Sequence, residues 1–245
     1  MKWVKKQLKL VDKYIAKLEE LYKDEYIKTL DEIKGLVLDT YSKLGPKPLL
    51  SHLYQFRRYY KLVKNIQNKL TQLGVKQEEL FSKELVRYYK DNAAILSDQF
   101  ERPFTQTDEE VKRIVNDYLM DNTLWSDSIW KDKALLLSKI KHELVMQAAA
   151  GKTIDQMAES LQAETLTSNF YNAKRLVRTE VVKYYVKTTI DRYKDAGVKE
   201  VTYHAVMDDR TCDECRKKNN KVFSVNSKEL PPTHPQCRCW ITPVI

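Results

Sequence analysis

All four cysteines of this 245-residue chain fall between positions 212 and 239, and nothing else in it restricts the fold as sharply. They read Cys212-Asp-Glu-Cys215 and, after twenty-one intervening residues, Cys237-Arg-Cys239, with His234-Pro235 just ahead of the second pair. Two thiolates on one tight turn can reach a single ion of tetrahedral preference, and a second close pair completes its shell. The second pair is C-x-C and the intervening loop is long, so the spacing departs from a regular C-x2-C … C-x2-C ribbon. The reading is a structural Zn2+ site with five candidate ligands for four places. The four cysteines are preferred, and His234 replaces one of them if the Cys237-Arg238-Cys239 geometry turns only one thiol inward. Two disulfides, a redox-active Cys-x-x-Cys and four free thiols are the competing readings. A redox pair would open a helix within a strand–helix alternation, which does not precede Cys212. A disulfide framework belongs to small secreted chains, and the start Met1-Lys-Trp-Val-Lys-Lys-Gln lacks the apolar run of a secretion signal.

The segments around the cysteines suit short strands: Val201–Val206, Lys221–Val225 and Trp240–Thr242. Asn219-Asn220 signals a turn, and Pro231-Pro232 opposes regular structure. Three such strands bury little surface. Metal binding is then a folding term, worth about 10–16 kcal/mol in small zinc peptides.

Upstream the pattern is helical. Val4, Leu8, Val11, Ile15, Leu18, Tyr22, Tyr26, Leu30, Ile33, Val37, Tyr41 and Leu44 recur in steps of three and four. Gly45-Pro46-Lys47-Pro48 should end that helix. A second helix is expected from Leu49 to Leu73, with Gly74 as its C-cap and Leu53, Phe56, Tyr60, Val63, Ile66 and Leu70 as its buried face. A third spans Gln77–Phe100 and breaks at Arg102-Pro103. Thr107-Asp-Glu-Glu110 forms a capping box opening a helix to about Met120. Trp125 and Trp130 flank the start of another, ending at Gly151, and both are expected in the core or as docking anchors. Thr153 opens a short helix to about Gln162, and a long helix from Ser168 to Ala196 closes at Gly197. The predicted fold is mainly α: an N-terminal helical bundle or hairpin (residues 1–103), then long central helices and a small zinc-stapled C-terminal β unit (residues 104–245), an α+β tail. No apolar run approaches a membrane span, so no membrane partner is expected.

The net charge is +9, and residues 1–100 hold twenty Lys/Arg against thirteen Asp/Glu. Such a balance suits nucleic acid or an acidic protein surface. Phe56-Arg57-Arg58-Tyr59-Tyr60-Lys61 is the local candidate for phosphate contact, through Arg57, Arg58 and Lys61. The competing reading is a helix whose charges are simply solvated. His52, His142, His204 and His234 are the only histidines, and no two are close in sequence. His204 is expected to be structural. No catalytic constellation is apparent, and a non-enzymatic protein is expected.

Taken together, Arg178-Thr179-Glu180, Ala196-Gly197-Val198, Asp208-Asp-Arg-Thr-Cys-Asp-Glu-Cys215, Lys221-Val222-Phe223 and Pro232-Thr-His-Pro-Gln-Cys-Arg-Cys239 resemble the phage head-morphogenesis family of Mu F-like minor capsid proteins. The likeness is strongest over about residues 130–243. Asn219-Asn220 stands where relatives commonly carry a glycine turn, which asparagine can replace because it tolerates a left-handed backbone. The resemblance implies a minor head protein of the virion, at the portal vertex or in the head interior and assembled in the host cytoplasm. Its implied partners are the portal protein, scaffolding or major capsid protein, and DNA. Its implied roles are head morphogenesis, DNA packaging or ejection. In that picture Arg178 and Glu180 tie the long helix to the zinc unit. The alternatives are a metal-dependent nuclease and a zinc-containing adaptor that binds nucleic acid.

Overall fold

The computed structural model describes residues 1–44, 49–117 and 124–244; the side chains of Lys43, Leu50, Leu53, Phe56 and residues 162–169 lie outside that description. In chain order the elements are α1 (Lys2–Tyr41), α2 (Leu50–Tyr54), α3 (Arg58–Phe100), α4 (Asp108–Val115), α5 (Trp125–Ala149), α6 (Ile154–Asp195), β1 (Glu200–His204), α7 (Asp213–Lys218), β2 (Val222–Ser224) and β3 (Trp240–Pro243). The protein is mainly helical with a small antiparallel sheet near its C-terminal end. The expected helix stop at Gly45–Pro48 and the expected α4 end at Met120 fall outside the described residues. α4 itself closes at Asn116, whose N–H bonds to the Lys112 and Arg113 carbonyls.

The helix ends follow local chemistry. Thr107 and Glu110 make the expected capping box, with Glu110 N–H donating to Thr107 Oγ1 at 3.2 Å and Thr107 N–H to Glu110 Oε2 at 2.7 Å. Thr153 and Gln156 repeat it at the start of α6, at 3.2 and 3.0 Å. α6 stops where Gly197 turns left-handed at φ 80°; Val198 N–H bonds to Tyr193 O and Gly197 N–H to Lys194 O, each at 2.9 Å. Gly151, at φ 67°, closes α5 in the same way.

Two expected breaks are absent. The short helix from Thr153 and the long helix to Ala196 are one element, Ile154–Asp195. No glycine or proline interrupts residues 154–195, so nothing in the backbone demands a stop there. Gly74 likewise is not a cap but lies inside α3, which runs unbroken from Arg58 to Phe100. The reason is packing. A Cβ built on Gly74 would stand 2.6 Å from Trp130 Cζ3, so the glycine makes room for an indole. Gly74→Ala should therefore lower stability by about 1 kcal/mol, because an overpacking cost of about 1–3 kcal/mol exceeds a propensity gain of about 1 kcal/mol. In a Trp130→Leu background the same change should stabilise instead. Denaturation of the four variants checks this, and a stabilised single mutant would refute it.

The α3 register also differs from expectation. The turn Gln55–Arg57 precedes α3 and ends with Arg57 at φ 57°, which breaks the helical repeat. The buried face is Leu62, Ile66, Leu70 and Leu73, with Tyr59 packed beside it, whereas Tyr60 is 66% exposed.

The chain folds as two compact units, each discontinuous in sequence. Unit 2 (Glu20–Glu79 and Ser126–Ala173) is organised around Tyr26, Leu30, Ile33, Val37, Leu136, Ile140, Leu144 and Met157. Trp130 Nε1 donates to Glu78 at 3.3 Å there. Unit 1 comprises Met1–Glu19, Leu80–Trp125 and Lys174–Ile245. The Arg102-Pro103 break between α3 and α4 lies inside it. Its core holds Leu18, Phe81, Leu85, Tyr88, Val115, Val177 and Tyr184. A buried polar layer crosses this core: Gln7 Nε2 donates to Asn92 Oδ1 at 2.8 Å and to Thr189 Oγ1 at 3.3 Å. Sliding any of these helices by one residue would orphan the amide, so the layer fixes their register.

The sheet belongs to unit 1 and has the order β2-β1-β3, with both pairings antiparallel. Val201 faces Phe223 on one side and Pro243 on the other, and His204 faces Trp240. The three strands fall on the expected segments, with ends that differ by one or two residues.

Candidate metal centre

β1 leads through residues 205–211 into α7, and the Cys-x-x-Cys turn is the start of that helix. Cys212 is its N-cap: its Sγ accepts the Cys215 N–H at 3.4 Å. From the other side, the loop 231–239 brings in His234, Cys237 and Cys239. His234 Nε2 lies 3.3 Å from Cys212 Sγ and 3.3 Å from Cys215 Sγ. Tetrahedral zinc with Zn–S of about 2.3 Å and Zn–N of about 2.0–2.1 Å would set that S···N edge at about 3.5 Å. The donor atoms make two triads, Cys212–Cys215–His234 and Cys215–Cys237–Cys239, each with all its atoms within 4.8 Å. Cys215, 1% exposed, is common to both. The five expected ligands thus fall into two triads joined at Cys215, the cysteines are free thiols, and the cluster could hold a metal ion. A cavity of about 20 Å³ among these side chains has room for one small particle.

The surroundings prepare the donors. His234 Nδ1 lies 2.8 Å from the Pro235 carbonyl, which can only accept, so the proton is on Nδ1 and Nε2 turns its lone pair toward the thiols. Burial works against the imidazolium, yet the Pro235 bond and the thiols beside it raise the His234 pKa overall. The Cys237 thiol is pulled down to about 5, chiefly because the Cys239 thiol donates to it, and the Cys239 thiol is pushed up in return. The Tyr203 hydroxyl donates to Cys215 Sγ at 3.3 Å, and burial followed by this bond pushes its own pKa up.

His204 is structural, as expected. Its Nε2 meets Thr242 Oγ1 at 2.8 Å, its ring stacks on Trp240 at 5.4 Å, and burial lowers its pKa. Asn220 takes the left-handed conformation at φ 62°, the role the glycine turn would fill, while Asn219 Oδ1 accepts the Ala205 N–H at 2.9 Å.

Between Arg178 and Glu180, Thr179 joins α6 to the cysteine loop. Its hydroxyl donates to the Arg175 carbonyl at 2.7 Å and accepts the Gln236 N–H at 3.0 Å. Glu180 is buried and pairs with Lys183 at 2.9 Å. Arg178 lines a cavity shared with Arg238, Cys239 and Trp240. A second connection that sequence reasoning missed is Asp208–Arg238, a two-armed pair with one arm at 2.6 Å. Arg238 holds the Asp208 carboxyl well below the usual range. The fork ties the turn before Cys212 to the residue between Cys237 and Cys239. Only the motif spacing around Asp208 could have hinted at it. At the start of α3, Arg57 and Lys61 are exposed and Arg58 is half-buried; all three belong to unit 2, whereas the cysteine cluster belongs to unit 1.

These features define a class: a helical protein carrying a small antiparallel sheet whose turns aim thiols and an imidazole at one point. Residues 138–242 match the family described as Phage Mu protein F like protein, a stretch that includes the second half of α5, all of α6 and the whole cysteine cluster. Over that stretch the chain is similar to this family, and the match supports a phage head-morphogenesis family of minor head proteins. Comparison with curated proteins and with solved structures finds no match. No helix among the described residues is long and apolar enough to cross a membrane.

Proposed function

We propose that this protein is a minor head component of a phage virion, held at the portal vertex or on the capsid interior. There it takes part in head assembly, DNA packaging or ejection without catalysing a reaction. The observation that carries this reading is that the family match spans the entire Cys/His cluster. In this reading four of the five donors, the four cysteines or three of them with His234, hold a structural zinc, which closes the β unit against α6. Zinc would supply no reaction chemistry there; it would cross-link two turns that otherwise have little core. The non-enzymatic reading is supported by the engagement of both histidines near the cluster. His204 is bonded to Thr242, and His234 faces Pro235 and the thiols. Portal, scaffolding or major capsid protein are the partners this role requires. DNA contact would fall to Arg57, Arg58 and Lys61, by phosphate neutralisation that weakens steeply with salt.

The test is to assemble procapsids with and without the gene product and to assay purified particles. The protein should copurify with portal-containing heads in few copies, carry about one zinc per chain, and leave plasmid uncut in magnesium or manganese. Absence from particles would overturn the virion role, and metal-dependent cutting lost in His204→Ala would restore the nuclease alternative.

A further inference from the structure

Beside the metal centre, unit 1 contains a second cavity, of about 200 Å³. Its apolar wall is Leu8, Val11 and Ile15 of α1 with Val182 of α6, and Trp240 and Cys239 lie at the sheet side. The Tyr185 hydroxyl, in a side chain 1% exposed, has no hydrogen-bond partner of good geometry there. Two guanidinium groups line the same space, in different states. Arg238 is neutralised by the Asp208 fork. Arg178, half-buried, makes no hydrogen bond or ion pair with any described residue. A guanidinium in a largely apolar recess, with no carboxylate bonded to it, is an unfilled half of a charge-assisted pair.

We propose that this cavity binds the free C-terminal carboxylate and apolar last side chain of a partner polypeptide, with Arg178 receiving the carboxylate. One uncompensated guanidinium matches one negative charge. The exposed Asp12 at the mouth opposes phosphates and other multiply charged anions. The volume is below the about 300–1,000 Å³ of small-molecule sites, which fits a single residue better than a cofactor. Main-chain carboxylate capture of this kind is a recurring mode of peptide recognition. The inference does not depend on the virion role or on which metal fills the cluster.

The test uses the full chain with its metal content held constant, titrated with N-acetyl-leucine, N-acetyl-leucinamide, the peptide acetyl-Ala-Ala-Leu and phenyl phosphate. Binding is read by calorimetry and by the Trp240 indole resonance, assigned with Trp240→Phe. The free acids should bind and shift that resonance, and the peptide should bind at least as tightly as the single residue. The amide should bind roughly 10- to 100-fold more weakly. Arg178→Gln should erase the acid–amide difference without moving the melting temperature, and Arg178→Lys should keep part of it. Equal binding of acid and amide, an unaltered Arg178→Gln, tighter phenyl phosphate, or no binding by any probe would overturn the proposal. Loss of binding when the two alanines are added would overturn the chain-terminus assignment.

Discussion

Cys215→Ser is expected to take the metal content from about one ion per chain to near zero and to melt the segment from Glu200 onward. Cys215 is the one donor shared by both triads, so its loss breaks each of them. His234→Ala and Cys239→Ser each leave the other triad whole and should weaken metal binding without abolishing it. The melting follows from how little else holds the unit together. Its strands are five, three and four residues long. The buried cluster beneath them is Tyr203, Ala205, Cys215, Cys237 and Cys239, so most of the core consists of the ligands themselves. If zinc supplies even part of the about 10–16 kcal/mol it contributes in small zinc peptides, its removal exceeds what this cluster can replace. Chelation should have the same effect as the substitution, and acidification should release the ion because thiolates must be deprotonated to bind. Metal analysis with a count of reactive thiols checks this. A Cys215→Ser protein that keeps its metal would sink the shared-ligand arrangement.

Trp125→Ala should cost about 3–5 kcal/mol, the range for large aromatic truncations in a packed core. Trp125 is 4% exposed, its ring lies 5.1 Å from Phe81, and its Nε1 donates to the Val115 carbonyl at 2.9 Å. That carbonyl stands at the end of α4 and also accepts the Tyr184 hydroxyl at 2.6 Å. The indole thus fills space and helps seal a helix terminus against α6. Trp125→Phe should cost much less, because Tyr184 still satisfies the carbonyl and most of the ring volume remains. Denaturant unfolding followed by circular dichroism distinguishes the two variants. A cost below about 1 kcal/mol for the alanine variant would show that the site can collapse around the gap.

The contrast between Trp125 and Trp130 shows how far a single sequence can be read. Both tryptophans were legible as anchors at the start of α5. Which one is enclosed, and that the other rests on Gly74, depends on a residue more than fifty positions away in α3. Gly74 looked like a stop because glycine is locally a poor helix residue; its use as a gap for an indole leaves no local trace. Tyr60 was misplaced for a related reason: a turn with one left-handed residue, Arg57, breaks the helical repeat just before α3, so Tyr60 falls off the buried face while Ile66 and Leu70 stay on it as expected.

What the sequence determined by itself is whatever repeats at short range. The stripe from Val4 to Tyr41, the capping boxes at Thr107 and Thr153, the left-handed stops at Gly151 and Gly197, and the three strands around the cysteines all rest on neighbours within a few residues. The five donor atoms were also legible, because sulfur and imidazole clustered at metal-binding intervals have few other uses. Tertiary structure alone decided that Cys215 joins two triads and that His234 turns Nε2 inward. It also decided that Asp208 grips Arg238, that Thr179 holds the loop, and that Arg178 is left facing an apolar recess. Each of these depends on the direction of a side chain across a gap of 20 to 60 residues, or on a neighbour in α1. Periodicity is set by backbone geometry one turn at a time, whereas a pairing across such distances is set only when packing brings the two surfaces together.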